Sequence, residues 1–113
     1  MIEAFKFGSI TVNGKEFKND VIISKQGVEE RKASEHHFVE GNEVQEILKK
    51  FDPLILVIGT GAYGVVQVLE GAELECKKNQ TQLIKARTNE AKNIYNDLES
   101  KGKKVIAIMH LTC

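Results

Sequence analysis

The sequence predicts one three-layer α/β domain, with a mixed central β-sheet flanked by helices and an N-terminal β-hairpin. Three observations predict it. The 113 residues are enough for one hydrophobic core but not for two. Amphipathic helical patterns alternate with short apolar runs that are typical of buried strands. An Asn-Gly pair near the N-terminus is a strong local signal for a two-residue hairpin turn. We therefore expect residues 1–113 to form a single domain.

The hairpin is predicted between Ala4 and Ser24, around the turn Asn13-Gly14. Apolar residues lie on both sides of that turn: Phe5, Phe7, Ile10 and Val12 before it, and Phe17 and Val21 to Ile23 after it. Asn-Gly fits because both central residues of a type I′ turn need positive φ. The segment from Lys25 to Gly41 is charged and without a period, so it is predicted as a loop with one short strand near Val28 to Arg31.

The middle of the chain predicts a helix from Glu43 to Phe51. Its apolar positions repeat at i, i+3, i+4 and i+7, namely Val44, Ile47, Leu48 and Phe51. Asn42 is available as its N-cap. Asp52-Pro53 ends the helix because proline disfavours helical backbone in the preceding residue. The run from Leu54 to Ile58 is apolar without alternation, which predicts a strand covered on both faces.

Four further elements complete the predicted order. They are a weaker helix from Glu70 to Asn79, a short strand from Gln82 to Ala86, a helix from Thr88 to Lys101 with Thr88 as N-cap, and a buried strand from Val105 to Met109. The order is hairpin, α, β, α, β, α, β. That order indicates a mixed sheet with helices on its faces.

Composition and charge exclude several classes of partner. Sixteen basic and sixteen acidic residues leave no net charge to attract nucleic acid, and we interpret Lys101, Lys103 and Lys104 as a solvated turn. No apolar run is long enough for a signal peptide or a membrane span. The two cysteines, Cys76 and Cys113, do not form a secreted-type disulfide framework. We therefore expect a cytoplasmic protein that binds neither nucleic acid nor membrane.

The run Gly59-Thr60-Gly61-Ala62-Tyr63-Gly64 satisfies G-x-G-x-x-G and follows a buried strand. A dinucleotide site is disfavoured because Val65 to Val68 favour strand over helix and the next strand ends in Ala86-Arg87 without an acid for a ribose. Two alternatives remain. The loop is a plain glycine turn, or its amides hold a small anion at the carboxyl end of the sheet, with the Thr88 hydroxyl as a second contact.

The spacing of the histidines and the last cysteine predicts neither a metal site nor a catalytic site. His36 and His37 are consecutive, so in extended backbone their side chains point to opposite faces, and no third ligand has a recognisable spacing. His110 and Cys113 suggest a base with its nucleophile, but neither an oxyanion hole nor an orienting group is visible. We predict no cofactor. Three acids are assigned to turns and helix surfaces: Asp20, Asp52 and Asp97.

Five stretches together resemble a known family. They are Phe7-Gly8, His37 before the first helix, Ile58-Gly59-x-Gly61, Thr88-x-x-Ala91-x-x-x-Tyr95-Asn96-x-Leu98 and His110-x-Thr112-Cys113. Nearly the whole chain resembles the small archaeal-type α/β proteins of a domain family of unknown function with a methanogen prototype. That family includes the adipogenesis-associated domain-containing protein and the third assembly factor of mitochondrial complex I.

The resemblance implies a three-layer α/β fold and no established enzymatic activity. It favours a non-catalytic binding or assembly module that acts through a protein partner. The alternative is a small-molecule or anion-binding protein, or an enzyme, that uses five residues: His37, Gly59, Thr60, Gly61 and Thr88. The chain departs from the family in having no mitochondrial targeting extension and in having Ser34-Glu35-His36 where a Gly/Thr pair is usual. Neither the partner nor the oligomeric state follows from the sequence.

Overall fold

The computed structural model describes residues 1–113. It contains ten strands and three helices. In chain order these are β1 (Ile2–Lys6), β2 (Ser9–Val12), β3 (Lys15–Phe17), β4 (Val21–Ser24), β5 (Gly27–Glu30), β6 (Phe38–Val39), α1 (Gly41–Phe51), β7 (Ile55–Gly59), β8 (Gln67–Val68), α2 (Glu70–Lys78), β9 (Gln82–Ala86), α3 (Thr88–Ser100) and β10 (Val105–Met109).

The central sheet has five strands in the order β5-β4-β10-β7-β9. β10, β7 and β9 are parallel, whereas β4 is antiparallel to both β10 and β5. Ala107 in the middle strand pairs with Val57 on one side and with Ile23 on the other. The mixed sheet predicted from the sequence is therefore confirmed, and the carboxyl ends of three parallel strands meet at one edge.

The core fills both faces of this sheet because neighbouring residues of β7 and β10 point to opposite sides. Val57, Ala107 and Met109 belong to the cluster that includes Tyr95 of α3 and residues of β1 and β2. The residues between them belong to a second cluster with α1 and α2: Leu56, Ile58, Ile106 and Ile108. Two buried faces explain why these strands read as unbroken apolar runs.

The N-terminal hairpin is confirmed but is smaller than predicted. Asn13 and Gly14 have φ of 52° and 81° and join β2 to β3, as a type I′ turn requires. The single strand predicted before this turn is wrong, because the turn at Phe7-Gly8 divides it into β1 and β2. The strand after Phe17 is also not part of the hairpin. Val21–Ser24 is buried throughout and enters the central sheet.

The helices and their caps differ from prediction in detail. Glu40 and Arg87 occupy the N-cap positions of α1 and α3, so the caps predicted at Asn42 and Thr88 are wrong. Asn42 bonds to the amide of Glu43 inside the first turn, and the Thr88 side chain turns toward the sheet. The longest helix, α3, has 13 residues, and no helix is both long and apolar enough to cross a membrane. The strand near Val28 is confirmed as β5.

One short strand pair was predicted only in part, since Val65 to Val68 favour strand but their partner strand was not predicted. β6 and β8 form a two-residue parallel pair in which Phe38 lies opposite Gln67. The amide of Gln67 also donates to the carbonyl of His37 at 2.9 Å. This pair fixes the loop before α1 against the segment that follows the glycine loop.

Truncating the core should cost far more than truncating an exposed leucine. Leu56 is 0% exposed, so Leu56→Ala should lower the free energy of unfolding by about 3 kcal/mol. Leu74 is 53% exposed, and Leu74→Ala should change it by less than about 0.5 kcal/mol. Urea unfolding of both variants measures the difference. Equal losses would contradict the described packing.

Candidate functional site

A buried carboxylate lies at the carboxyl end of β10. Asp20 precedes β4, and because Val21 pairs with Met109 the register places Asp20 beside His110. Its Oδ2 lies 2.7 Å from Nδ1 of His110 and 3.1 Å from Nδ1 of His36. Its Oδ1 accepts a bond from the amide of Leu111 at 3.0 Å. Asp20 lies in the connection between β3 and β4, but it is buried and paired, which its assignment to a turn or helix surface did not predict.

Arg31 is the second charged group of this cluster and is only 2% exposed. Its Nη1 lies 3.2 Å from Oδ2 of Asp20, and its Nε and Nη2 bind the two carboxylate oxygens of Glu43 at 2.7 and 3.0 Å. It also donates to the carbonyls of His36 and Phe38. One guanidinium therefore holds together the end of β5, the following loop and the first turn of α1.

The side chains of this cluster stabilise each other's ionised forms. Burial on its own would raise the pKa of Asp20, but hydrogen bonds from His110, His36 and the amide of Leu111 outweigh it and hold that pKa below its ordinary value. Burial would lower the pKa of Arg31, but Glu43 and Asp20 outweigh it and raise that pKa. Asp20 is thus an ionised acceptor and Arg31 a cation.

His110 connects Asp20 to the hydroxyl of Thr112 through hydrogen bonds. An ionised carboxylate can only accept hydrogen bonds. In the neutral ring of His110, Nδ1 therefore carries the proton and donates a hydrogen bond to Asp20. Nε2 then accepts from Oγ1 of Thr112, which lies 3.1 Å away. The ring of His37 packs edge-to-face on that of His110, with 5.2 Å between the centroids. The result is a carboxylate, imidazole and hydroxyl chain in the order found in serine-hydrolase triads.

The predicted site residues converge on this same edge. The amide of Gly61 donates to Oγ1 of Thr88 at 2.9 Å, and the Thr88 hydroxyl donates to the carbonyl of His110 at 2.7 Å. Thr60 donates through both its amide and its hydroxyl to the carbonyl of Ala86. His37 joins them through the ring of His110. Gly59 completes the group, since its carbonyl accepts from the amide of His110.

The amides of the glycine loop are already engaged within the chain. Besides Gly61, five residues donate to main-chain oxygens: Ala62 to Thr112, Tyr63 and Val65 to Cys113, Gly64 to Gly61, and Val66 to Thr60. No helix begins at Gly64, where the dinucleotide motif would need one; β8 is the next element. The loop thus binds the last residues of the chain, and a ligand role for it stays a prediction.

Two glycines are required at this edge by close packing. A Cβ on Gly59 would lie 2.6 Å from Sδ of Met109 and 2.9 Å from Oγ1 of Thr88. Gly61 has a φ of +105°, and its Cβ would collide with the main chain of Cys113. The same Cβ would lie 3.0 Å from Cδ2 of His110, so the loop backbone lies directly against that ring.

Three exposed apolar side chains surround the last residues of the chain. We call Phe7, Tyr63 and Val65 the apolar rim. The rings of Phe7 and Tyr63 are 6.1 Å apart, and Tyr63 is 66% exposed. The amides of Tyr63 and Val65 bond to Cys113, and the turn that carries Phe7 bonds to Leu111. The rim therefore lies beside the hydrogen-bonded side chains of Asp20, His110 and Thr112.

Neither a metal cage nor the largest cavity coincides with this edge. No group of three His, Cys, Asp or Glu side chains is arranged to hold a metal ion. A cavity of about 420 Å³ opens at the amino ends of the parallel strands, among Lys25, Phe51 and Lys104. It contains none of the predicted site residues.

Comparison with known proteins gives a family and a fold. Residues 2–110 match the family described as "Protein of unknown function (DUF498/DUF598)". A conserved hypothetical protein, PH1505 from Pyrococcus horikoshii OT3, is 30% identical over 100% of this chain and 99% of its own, with a TM-score of 0.84. A protein solved as MT938 is 27% identical, with coverages of 100% and 98% and a TM-score of 0.83. A Mth938-like domain protein from Bordetella pertussis is 16% identical, with coverages of 97% and 84% and a TM-score of 0.77. No curated protein matches the sequence.

Adding a methyl group to the glycine loop should destabilise the fold. Gly59→Ala and Gly61→Ala should each lower the free energy of unfolding by about 1 to 3 kcal/mol, because the new Cβ has no room. Thr60→Val should cost little. In α2, Gly71 has only ordinary contacts for a Cβ, so Gly71→Ala is the matched control and should stabilise by about 0.5 kcal/mol. Denaturant unfolding that gives the same result for all three glycines would overturn the packing argument.

Asp20→Asn should destabilise the protein in a pH-dependent way. Removing one charge from a buried, paired cluster should cost about 3 kcal/mol at neutral pH. The pKa of Asp20 is lowered on folding, so its contribution is complete above the ordinary value of 3.8 and is lost as the pH falls through the folded-state value. Unfolding followed at several pH values should show parent and variant converging in acid.

The matched control is Asp97→Asn, because Asp97 is an exposed acid paired with Lys101 on one helix. It should change stability by less than about 0.5 kcal/mol. A parent-to-variant difference for Asp20→Asn that stays constant into strong acid would show that its carboxylate charge is not what stabilises the cluster.

Proposed function

The chain belongs to the DUF498/DUF598 family of proteins of unknown function, and on that premise we propose that it is a non-catalytic module that docks another protein at its apolar rim. The observation that carries the proposal is the exposed aromatic pair of Phe7 and Tyr63 beside Val65. Aromatic side chains supply much of the binding energy at protein interfaces. Here they stand on backbone that is fixed by hydrogen bonds to the residues following β10.

The internal bonding of the glycine loop also favours a protein partner over a small anion. An anion at a strand end is usually held by main-chain amides that lack another acceptor. The amides from Gly61 to Val66 instead donate to the Thr88 hydroxyl and to main-chain oxygens. The side chains that this edge offers to solvent include the three apolar residues of the rim.

The family resemblance points the same way. The mitochondrial assembly factor that the sequence resembles is named for a role that requires contact with other proteins.

A cytoplasmic location is part of the proposal, since Cys76 and Cys113 are both free and a reducing compartment keeps thiols in that form. Burial and the neighbouring acids Glu73 and Glu75 raise the pKa of Cys76, which makes that thiol unreactive.

A second candidate is a small-ligand site at the same edge. The observation that favours it is that the five predicted residues lie at one edge of the sheet: His37, Gly59, Gly61 and Thr88 lie around His110, and Thr60 bonds to Ala86 at the end of β9. Melting the protein with a panel of nucleotides, phosphates and carboxylates separates the candidates. A ligand at about 100 times its dissociation constant would add roughly 2.7 kcal/mol of stability, and no shift across the panel would remove this candidate.

Site-specific cross-linking tests the docking surface. A photoreactive phenylalanine analogue in place of Tyr63 should form a discrete adduct with one partner in intact cells, because the rim contacts that partner. The same analogue in place of Leu74 is the matched control, since Leu74 is an exposed apolar residue on α2, a helix that carries no residue of the rim. It should give no such adduct.

Competition makes the result specific. Excess unlabelled parent protein should suppress the adduct, whereas a variant with Phe7→Ser and Tyr63→Ser should not. Adducts that are the same from positions 63 and 74, or absent from both, would argue that the rim docks no protein.

A further inference from the structure

The hydrogen-bonded side chains of Asp20, His110 and Thr112 do more than stabilise the fold. Oδ2 of Asp20, Nδ1 of His110, Nε2 of His110 and Oγ1 of Thr112 are linked by hydrogen bonds of 2.7 and 3.1 Å. The Asp20 and His110 side chains are buried, while Thr112 is partly exposed. This series of hydrogen bonds therefore starts in the protein interior and ends at a hydroxyl that solvent can reach.

We infer that Thr112 is a nucleophile that accepts an acyl group from an ester or thioester with an apolar acyl chain, with His110 as its general base. The inference goes beyond the proposed docking role and assigns chemistry to the same edge. Nε2 of His110 is free of a proton because the proton stays on Nδ1, which donates a hydrogen bond to the carboxylate of Asp20. Asp20 is a positioning residue, since it acts through His110.

The reaction balances with the groups that are present. As Oγ1 of Thr112 bonds to the carbonyl carbon, its proton passes to Nε2 of His110. The bond from that carbon to the leaving alcohol or thiol breaks, and His110 returns the proton to the leaving group. The products are the threonine ester at residue 112 and the free alcohol or thiol.

The surroundings of Thr112 suit an acyl substrate. The main-chain amides of Thr112 and Cys113 donate to no other group of the chain. The amide of the nucleophile itself and the one after it are common donors to the oxyanion of acyl transfer. Tyr63 and Val65, which bond to Cys113, provide an apolar surface for the acyl chain.

The test uses p-nitrophenyl butyrate and intact-protein mass spectrometry. The parent should gain one butyryl group, which peptide mapping should place on Thr112. Thr112→Val should abolish the modification of residue 112, because valine has no hydroxyl to accept the acyl group. Thr112→Ser keeps a hydroxyl next to His110 and should still be modified at residue 112.

One treatment and one variant separate this reaction from rival nucleophiles. Neutral hydroxylamine should leave the butyryl group on Thr112 in place, because it cleaves a thioester on the exposed thiol of Cys113 much faster than an oxygen ester. Ser100→Ala removes an exposed hydroxyl that bonds to a carbonyl and not to a histidine, so it should have no effect. Butyryl groups found only on Cys113 or lysines of the parent, or none at all, would overturn the inference. These outcomes would leave the cross-linking result at Tyr63 unaffected.

Discussion

The buried carboxylate of Asp20 is the interaction on which the rest of this edge depends. A buried charge is costly unless it is paired and hydrogen-bonded, so Asp20 requires Arg31, His110 and the amide of Leu111 around it. Each partner in turn holds a different part of the molecule. Arg31 fixes the loop before α1, and His110 and Leu111 fix the extension of β10 against the glycine loop. One charge therefore positions His110 and, through it, Thr112.

Elements with a strong local pattern could be predicted from the sequence. The strands Gln82–Ala86 and Val105–Met109 have the predicted bounds, and the Asn13-Gly14 turn has the predicted positive φ. The pairing of strands that are distant in the sequence could not be predicted. The run Val21–Ser24 reads equally well as a hairpin arm and as a central strand, and only its pairing with β10 decides. The β6 and β8 pair is too short to leave a pattern.

The site was predicted in part for the same reason. Glycines after a buried strand and a threonine before a helix are local signals, and they led to Gly59, Gly61 and Thr88. Asp20 and Arg31 gave none, because a lone acid or base in a polar segment looks solvated. The bond from Asp20 to His110 spans 90 residues, and no spacing rule reveals it. The predicted loop and the unpredicted charges meet only through the fold.

Asp20 fixes the ring of His110 with the proton on Nδ1 and the lone pair on Nε2 facing Thr112. Nitrogen-15 NMR of the histidine side chains measures this directly, since protonated and unprotonated ring nitrogens differ widely in chemical shift. We predict that the neutral ring of His110 carries its proton on Nδ1, with an Nδ1–H shift typical of a short hydrogen bond to a carboxylate. A neutral ring protonated on Nε2, or one that mixes both tautomers freely, would contradict the account.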